Sequence, residues 1–283
     1  MIIALVLLSA LLHATWNALL RLEKSKDQSL VVAIVVATMF AAVIAAARWQ
    51  LGEVPFASWR GAGYTVLAGV CEATYFATLA RAMELGKLGV VYTISRGGAV
   101  LAVWPLSMAL FGEVATGPAM AGSALVMAGL ALSGFGAGGG ERSGERGAIA
   151  WAAACAMSIA GYHLAYKAAL LHGANPSACF ALSLAVSATI NIVRMGAASH
   201  GAIGALVRQR WPRLVFMGLV CGGSFLILME ALAIGGSGFV LTLRNTSVLF
   251  AIGLARLIGD KPRPLELVGA AAVAGGAALM AWE

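Results

Sequence analysis

Two arginines, a glutamate and a histidine lie inside long apolar stretches of this sequence. Arg96 lies in TISRGGAVLAVWPL, residues 93 to 106, and Arg244 lies in a similar stretch nearer the C-terminus. Glu72 and His13 lie in two further apolar stretches. A guanidinium can bind a carboxylate or phosphate through two parallel hydrogen bonds, and an imidazole or carboxyl group can bind a substrate or a proton. Because ionisable groups are costly inside a membrane, each of these four residues is a candidate functional residue.

The composition is that of a membrane protein. The 283-residue chain is 61% hydrophobic and only 11% charged, whereas a soluble domain is about 25% charged. About ten apolar runs are long enough to cross the hydrocarbon core of a bilayer. They lie near residues 2–20, 29–47, 61–80, 90–111, 118–135, 148–167, 178–197, 212–233, 239–257 and 265–282. We therefore predict an all-α integral membrane protein with about ten transmembrane helices.

Several other classes of protein are excluded or disfavoured. No phosphate-binding G-x-x-x-x-G-K-[ST] sequence and no H-E-x-x-H sequence occurs, so neither a nucleotide-driven pump nor a zinc protease is supported. The GGSG sequence at residues 235 to 238 resembles that of rhomboid-like intramembrane proteases, but the histidine base is missing because no histidine follows His200. The four cysteines lie in apolar runs without metal-like spacing. No enzyme activity, metal or cofactor is therefore predicted.

Two segments of the chain resemble each other. AMELGKLGVVYTISRGG from Ala82 aligns with ALAIGGSGFVLTLRNTS from Ala231, and Arg96 and Arg244 then fall within one residue of equivalence. We predict a first five-helix repeat at residues 1–135, a glycine-rich charged linker at 136–147 and a second five-helix repeat at 148–283. Because each repeat has an odd number of spans, the two repeats are inverted relative to each other. Inverted repeats are typical of secondary transporters, whose substrate site lies between the halves near the membrane midplane.

Three segments carry a resemblance to the EamA type of the drug/metabolite transporter (DMT) superfamily. They are HATWNALLRLEKSKD, LARAMELGKLGVVYTISRGGAVLAV and ALAIGGSGFVLTLRNTSVLFAI. The resemblance covers essentially the whole chain and implies ten helices around a central cavity, formed mainly by helices one, three, four, six, eight and nine. Members carry amino acids, amines, sugars or nucleotide derivatives, so the resemblance implies a transporter without naming its substrate.

Helical geometry groups further side chains with the four ionisable residues. At about 1.5 Å per residue, Arg96 and Arg244 lie about 8 to 9 Å below opposite faces of the hydrocarbon core, and His13 and Glu72 lie near its midplane. Residues three or four positions apart share a helix face. The predicted substrate-binding set is His13, Trp16, Asn17, Glu72, Tyr75, Tyr92, Ser95, Arg96, Tyr162, His163, Tyr166, Arg244 and Asn245. Such a lining suits a small amphiphilic metabolite, for example an amino acid.

These residues leave two interpretations open. Arg96 could bind an anionic group of the substrate, or it could pair with Glu72 and hold two helices together. Glu72 is the candidate for proton coupling, because it could exchange one partner for another during the transport cycle. We predict secondary active transport of a small organic metabolite by alternating access, as an exporter or a proton-coupled exchanger. A channel or a lipid-headgroup flippase is the alternative.

The distribution of charge predicts the orientation in the membrane. Most lysines and arginines follow the odd-numbered runs, and the positive-inside rule places those loops in the cytoplasm. Both termini are then expected outside, although many members of the resembled family are drawn with cytoplasmic termini. We expect a multi-pass protein of the bacterial inner membrane, either a monomer or a weak homodimer. Its expected partners are the lipid bilayer, a small-molecule substrate and protons, with no nucleic acid.

Overall fold

The fold is a bundle of helices. The computed structural model describes residues 1–85, 88–136, 145–196, 200–257 and 263–282. The described residues of the first half form α1 (Ile2–Arg21), α2 (Lys26–Gln50), α3 (Trp59–Leu85), α4 (Leu88–Phe111) and α5 (Gly117–Gly136). Those of the second half form α6 (Glu145–Leu171), α7 (Pro176–Met195), α8 (His200–Ile234), α9 (Ser237–Arg244), α10 (Ser247–Leu257) and α11 (Pro264–Met280).

The helices have the length and composition of membrane spans. Seven stretches of the described chain are long and apolar enough to cross a bilayer, and the described parts of α5 and α11 are apolar but shorter. Taken in chain order, with α9 and α10 together as one segment, the described residues form ten helical segments, of which α3 is not among the seven candidate spans. The predicted all-α fold of a multi-pass integral membrane protein is confirmed. We call the membrane face at which α1 begins and α11 ends the terminal face.

Helices of one half pack mainly against helices of the other half. The most extensive contacts between the halves join α3 to α6, α5 to α11, α4 to α6, α2 to α8, α1 to α8, α2 to α7 and α3 to α7, followed by α1 to α10. Exchanging each helix for its counterpart in the other half maps these pairs onto one another, as inverted repeats require. The buried core therefore lies between the halves. The exact repeat boundaries stay a prediction, and residues 137–144 of the predicted linker lie outside the described residues.

The contact between α5 and α11 depends on glycine. A Cβ atom on Gly129 would lie 2.5 Å from the carbonyl oxygen of Gly269, and one on Gly122 would lie 2.6 Å from that of Gly276. Larger residues would push the two backbones apart, so these helices pack as small-faced membrane helices do. Both helices are rich in glycine and alanine, which permits such close packing. Val126, Leu130 and Val273 form a small hydrophobic cluster at this contact, separate from the main core.

Two helices depart from the predicted spans. The predicted run 239–257 is divided at Asn245 and Thr246, where the Thr246 amide and hydroxyl both donate to the Leu243 carbonyl. Polar side chains that bond their own backbone compete with the regular helical pattern, and this explains the break. The predicted run 212–233 belongs to a longer helix, α8, which is kinked at Arg210 (φ −133°, ψ 17°), two residues before Pro212.

Candidate substrate site

Two guanidinium groups, one from each half, meet at a single imidazole. Arg96 Nη2 lies 3.0 Å from His13 Nε2, and Arg244 Nη2 lies 3.2 Å from His13 Nδ1. All three side chains are buried. Helix α4 and helix α9 begin at opposite membrane faces, so each arginine enters the bundle from its own side. The inverted repeat thus explains why two residues 148 positions apart reach one point near the centre.

Hydrogen-bond donors outnumber acceptors at His13. Trp16 Nε1, one turn further along α1, also donates to His13 Nδ1 over 3.1 Å. Indole and guanidinium nitrogens act only as donors, whereas a neutral imidazole has one acceptor nitrogen and an imidazolium has none. Whichever ring nitrogen carries the proton, at least one of the three donor groups therefore faces an N–H group instead of a lone pair.

Arg244 has further unused hydrogen-bonding capacity. Its Nε and Nη1 atoms have no hydrogen-bond partner among the described residues, although the side chain is 2% exposed. The guanidinium lies 4.2 Å above the ring of Phe225, which in turn stacks on Phe180 with 5.2 Å between ring centroids. The aromatic face stabilises the positive charge but accepts no conventional hydrogen bond. A buried guanidinium with two such nitrogens is suited to bind an anion.

A carboxyl group lies in the same buried centre, on α3. Glu72 is 2% exposed, and its Oε2 atom has no hydrogen-bond partner among the described residues. The Tyr166 hydroxyl lies beside this carboxyl group and also bonds the Ser183 hydroxyl over 2.6 Å. None of the ion pairs that the structure describes joins Glu72 to Arg96. The centre therefore combines two guanidiniums with a carboxyl oxygen that can still accept a hydrogen bond.

Aromatic side chains surround these polar groups. The ring centroid of Tyr162 lies 6.0 Å from that of Tyr75, 5.8 Å from that of Tyr166 and 5.1 Å from that of His163. His163 is fully buried, and neither of its ring nitrogens has a hydrogen-bond partner among the described residues. The predicted aromatic residues of α3 and α6 thus lie together, and they offer an apolar wall with few polar positions.

Four other predicted site residues differ in their surroundings. The side-chain amide of Asn17 donates a hydrogen bond to the His13 carbonyl of the same helix over 2.7 Å, so this bond lies within α1. Asn245 is buried next to Arg244, and its Nδ2 atom has no partner among the described residues. Ser95 is buried beside Arg96 in the chain, and the side chain of Tyr92 lies outside the described residues.

Sequence reasoning missed residues that join α1 to α8 beside the site. The Ser9 hydroxyl donates to the Ser224 carbonyl over 2.7 Å, and the Ser224 hydroxyl donates to the Ser9 carbonyl over 2.9 Å. Serines commonly bond across closely packed membrane helices. Nothing in the sequence pairs these two serines, because their contact crosses from one half to the other. Phe225, the aromatic partner of Arg244, was missed for the same reason.

At the terminal face, charged residues hold the turn between α8 and α9. The Glu113 carboxylate accepts hydrogen bonds from the Ser237 amide at 2.8 and 2.7 Å and from the Gly238 amide at 3.4 Å, where α9 begins. Lys167 Nζ donates to the Leu232 and Gly235 carbonyls over 3.0 and 2.8 Å. Glu113 belongs to the first half and this turn to the second, so these bonds tie the halves together.

A second group of charges lies at the opposite face. Glu23, which follows α1, is buried and forms ion pairs with Arg213 at 2.8 Å and Arg210 at 3.2 Å, both on α8. Arg213 Nη2 also donates to the Leu19 carbonyl over 3.2 Å. The end of α1 is thereby fixed to α8. With contacts at both faces and His13 only 3% exposed, the site is enclosed from both sides in this structure.

Comparison with known proteins agrees with the architecture. Residues 146–282 match the sequence model of the EamA-like transporter family. A solved crystal structure that is 16% identical in sequence superposes with a TM-score of 0.75 over 99% of this chain and 96% of that chain, which shows a shared fold. No curated protein matches the chain. The second half of the chain therefore belongs to the EamA-like transporter family, a family of membrane transporters of the drug/metabolite transporter type, and the whole chain shares the fold of that solved structure.

Proposed function

We propose that this transporter carries a small amphiphilic metabolite with a carboxylate group, of the amino-acid kind, by alternating access. The observation that carries the proposal is the meeting of Arg96 and Arg244, contributed by opposite repeats, at one buried point where donors outnumber acceptors. A carboxylate has two oxygens and about four lone-pair positions, so it can accept from both guanidiniums at once. Two buried guanidiniums therefore favour an anionic group over an amine.

The residues around the two arginines suggest what the substrate carries besides its carboxylate. Glu72 offers a carboxyl oxygen without a partner and would bind the ammonium group of a zwitterion. Tyr75, Tyr162 and Phe225 supply aromatic surface for an apolar side chain. In this assignment Glu72 also remains the residue proposed to couple transport to protons, as either an export or an exchange reaction.

The enclosed site supports a carrier over a channel. In alternating access, contacts at the two faces open in turn while the site stays fixed between the repeats. The bonds of Glu113 at the terminal face and those of Glu23 at the opposite face are the natural candidates for these contacts. A channel would keep a continuous polar path, whereas here the polar centre is buried beneath both groups of contacts.

The proposal is tested with three matched compounds. L-Leucine carries both charged groups, 4-methylpentanoate lacks its amine, and 3-methylbutylamine lacks its carboxylate. Thermal unfolding of the purified protein reports binding, because a ligand that binds only the folded state raises the unfolding temperature. Counterflow of labelled leucine in proteoliposomes then reports transport. We expect the leucine and carboxylate compounds to stabilise the protein and the amine to have no effect.

Variants test which charged side chain binds which charged group of the substrate. Arg244→Gln should weaken the binding of leucine and 4-methylpentanoate at least about tenfold, since it removes the guanidinium with the unused nitrogens. Glu72→Gln should weaken binding of leucine but not of 4-methylpentanoate. Glu84→Gln is the matched control, because Glu84 pairs with Arg81 on the exposed surface. Stabilisation by 3-methylbutylamine alone, or a response of Arg244→Gln equal to that of the parent, would overturn the assignment.

A further inference from the structure

We propose that His13 acts as an internal stand-in for the carboxylate of the substrate, occupying the two arginines when the transporter is empty and leaving them when substrate binds. This inference rests on the proposed function and adds a role for His13 within it. Substrate and imidazole would then compete for the same guanidinium groups. His13 would be a positioning residue of the transport cycle, and its ring would not bind the substrate.

The shape of the imidazole carries the first step of the argument. Its two nitrogens are joined through one carbon atom, as the two oxygens of a carboxylate are. In the structure each nitrogen faces the Nη2 atom of a different arginine, at 3.0 Å for Arg96 and 3.2 Å for Arg244. The ring thus occupies the position, between two guanidiniums, that a bridging carboxylate would take.

The second step is that the imidazole fills this position imperfectly. It presents one acceptor nitrogen at most to three donors, the third being Trp16 Nε1 at 3.1 Å. A carboxylate accepts at both of its oxygens and also neutralises one positive charge, so it should displace the ring. The unused Nε and Nη1 atoms of Arg244 give the arriving group further donors. The imidazole therefore binds both guanidiniums well enough to stabilise the empty site, but it binds them less well than a carboxylate, which can replace it.

The third step concerns the return of the empty transporter. Without any acceptor between them, two buried guanidiniums repel each other, so closing the empty site is costly. An imidazole that supplies an acceptor lowers this cost and allows the unloaded protein to change its orientation. Net transport requires that return step, whereas exchange of substrate for substrate does not. His13 is thereby predicted to set the balance between net transport and exchange.

The experiment compares these two modes in proteoliposomes with labelled L-leucine. His13→Phe keeps a ring of similar size but removes both nitrogens. We expect counterflow within about threefold of the parent, net uptake lowered about tenfold or more, and leucine bound about tenfold more tightly, because an internal competitor has been removed. His13→Gln, which keeps one acceptor oxygen, should restore part of the net uptake. His172→Phe is the control, since His172 bonds the Ala168 carbonyl at the terminal face and should leave the ratio unchanged.

A second measurement uses the parent protein and does not depend on folding of the variants. Displacement of His13 breaks its bond with Trp16, so leucine and 4-methylpentanoate should change the tryptophan emission. The change should be absent for 3-methylbutylamine and absent in Trp16→Phe. Equal loss of counterflow and net uptake in His13→Phe, weaker leucine binding, or an emission change that persists in Trp16→Phe would overturn the inference. If the parent itself neither binds nor exchanges any of the carboxylates, the proposed function fails instead.

Discussion

Replacing Glu113 by Gln should open the terminal face of this transporter. The Glu113 carboxylate bonds the Ser237 and Gly238 amides at the start of α9, and these bonds cross from the first half to the second. A hydrogen bond to a charged group contributes about 1.5 to 3 kcal/mol, and a negative charge at a helix N-terminus adds about 0.3 to 1 kcal/mol. Glutamine keeps one acceptor oxygen, and Glu113 is only half-buried. We therefore expect a loss of about 1 to 2 kcal/mol, which is a factor of about 5 to 30 in the ratio of closed to open protein.

Cysteine accessibility measures this ratio. Val240 lies fully buried in α9, one turn after the capped amides. In a background without the four native cysteines, Val240→Cys should react with a maleimide that does not cross membranes at a rate proportional to the open population. Adding Glu113→Gln should raise the rate from the terminal face about 5- to 30-fold. Glu84→Gln should leave it unchanged, because an exposed ion pair of this kind contributes at most about 1 kcal/mol. An unchanged rate in Glu113→Gln would refute the reasoning, as would an equal increase in the control.

Three further predictions concern other parts of the bundle. Gly129→Ala should lower the unfolding temperature, because its Cβ would lie 2.5 Å from a backbone oxygen of α11 and overpacking costs about 1 to 3 kcal/mol; Gly275→Ala, whose Cβ would make an ordinary 3.5 Å contact, should not. Glu23→Gln should expose the site to maleimide from the opposite face, because it removes the buried negative charge of the ion pairs with Arg213 and Arg210. Unchanged labelling would contradict this role of Glu23. A reporter enzyme that is active only outside the cytoplasm should be active when fused after residue 283, as the charge distribution predicts, and an inactive fusion would reverse the proposed orientation.

Hydropathy and the internal repeat predicted most of the fold. In lipid the backbone of each apolar run must form its hydrogen bonds within a helix, so hydropathy predicts the helical segments well. The resemblance between the segments around Arg96 and Arg244 then implied that the halves are inverted, and it predicted that both arginines reach the centre. These inferences succeed because they depend on periodicity and symmetry, which are visible in a single sequence.

The contacts within the site could not be predicted in the same way. The sequence suggested Glu72 as one partner of Arg96, since opposite charges in a membrane commonly pair. In the structure Arg96 contacts His13, on a helix that is distant in the chain. Helix spacing shows which face a side chain occupies, but it does not show which face of another helix lies opposite. The serine pair of α1 and α8 was missed for that reason.

The sequence also did not predict the break between α9 and α10, and the reason is a different one. Asn245 and Thr246 interrupt an otherwise apolar run, and polar residues of this kind can end a helix by bonding their own backbone. Similar residues elsewhere in the chain, such as Thr38 and Thr65, bond the backbone four residues earlier within helices that continue. The local sequence is therefore compatible with a helix break at Asn245 and Thr246, but it does not predict one. The capping of α9 by the Glu113 carboxylate could not be predicted either, because it depends on how the two halves pack against each other.

The most direct test of the account is a double-mutant cycle on the two arginines. Arg96→Gln, Arg244→Gln and the double variant would be titrated with 4-methylpentanoate, and unfolding temperatures would give the binding free energies. If one carboxylate bridges both guanidiniums, each single variant should weaken binding at least about tenfold, and the double variant should lose less than the sum of the two because the arginines share a partner. Strictly additive losses, or a single variant that binds as the parent does, would contradict the claim that Arg96 and Arg244 form one anion site.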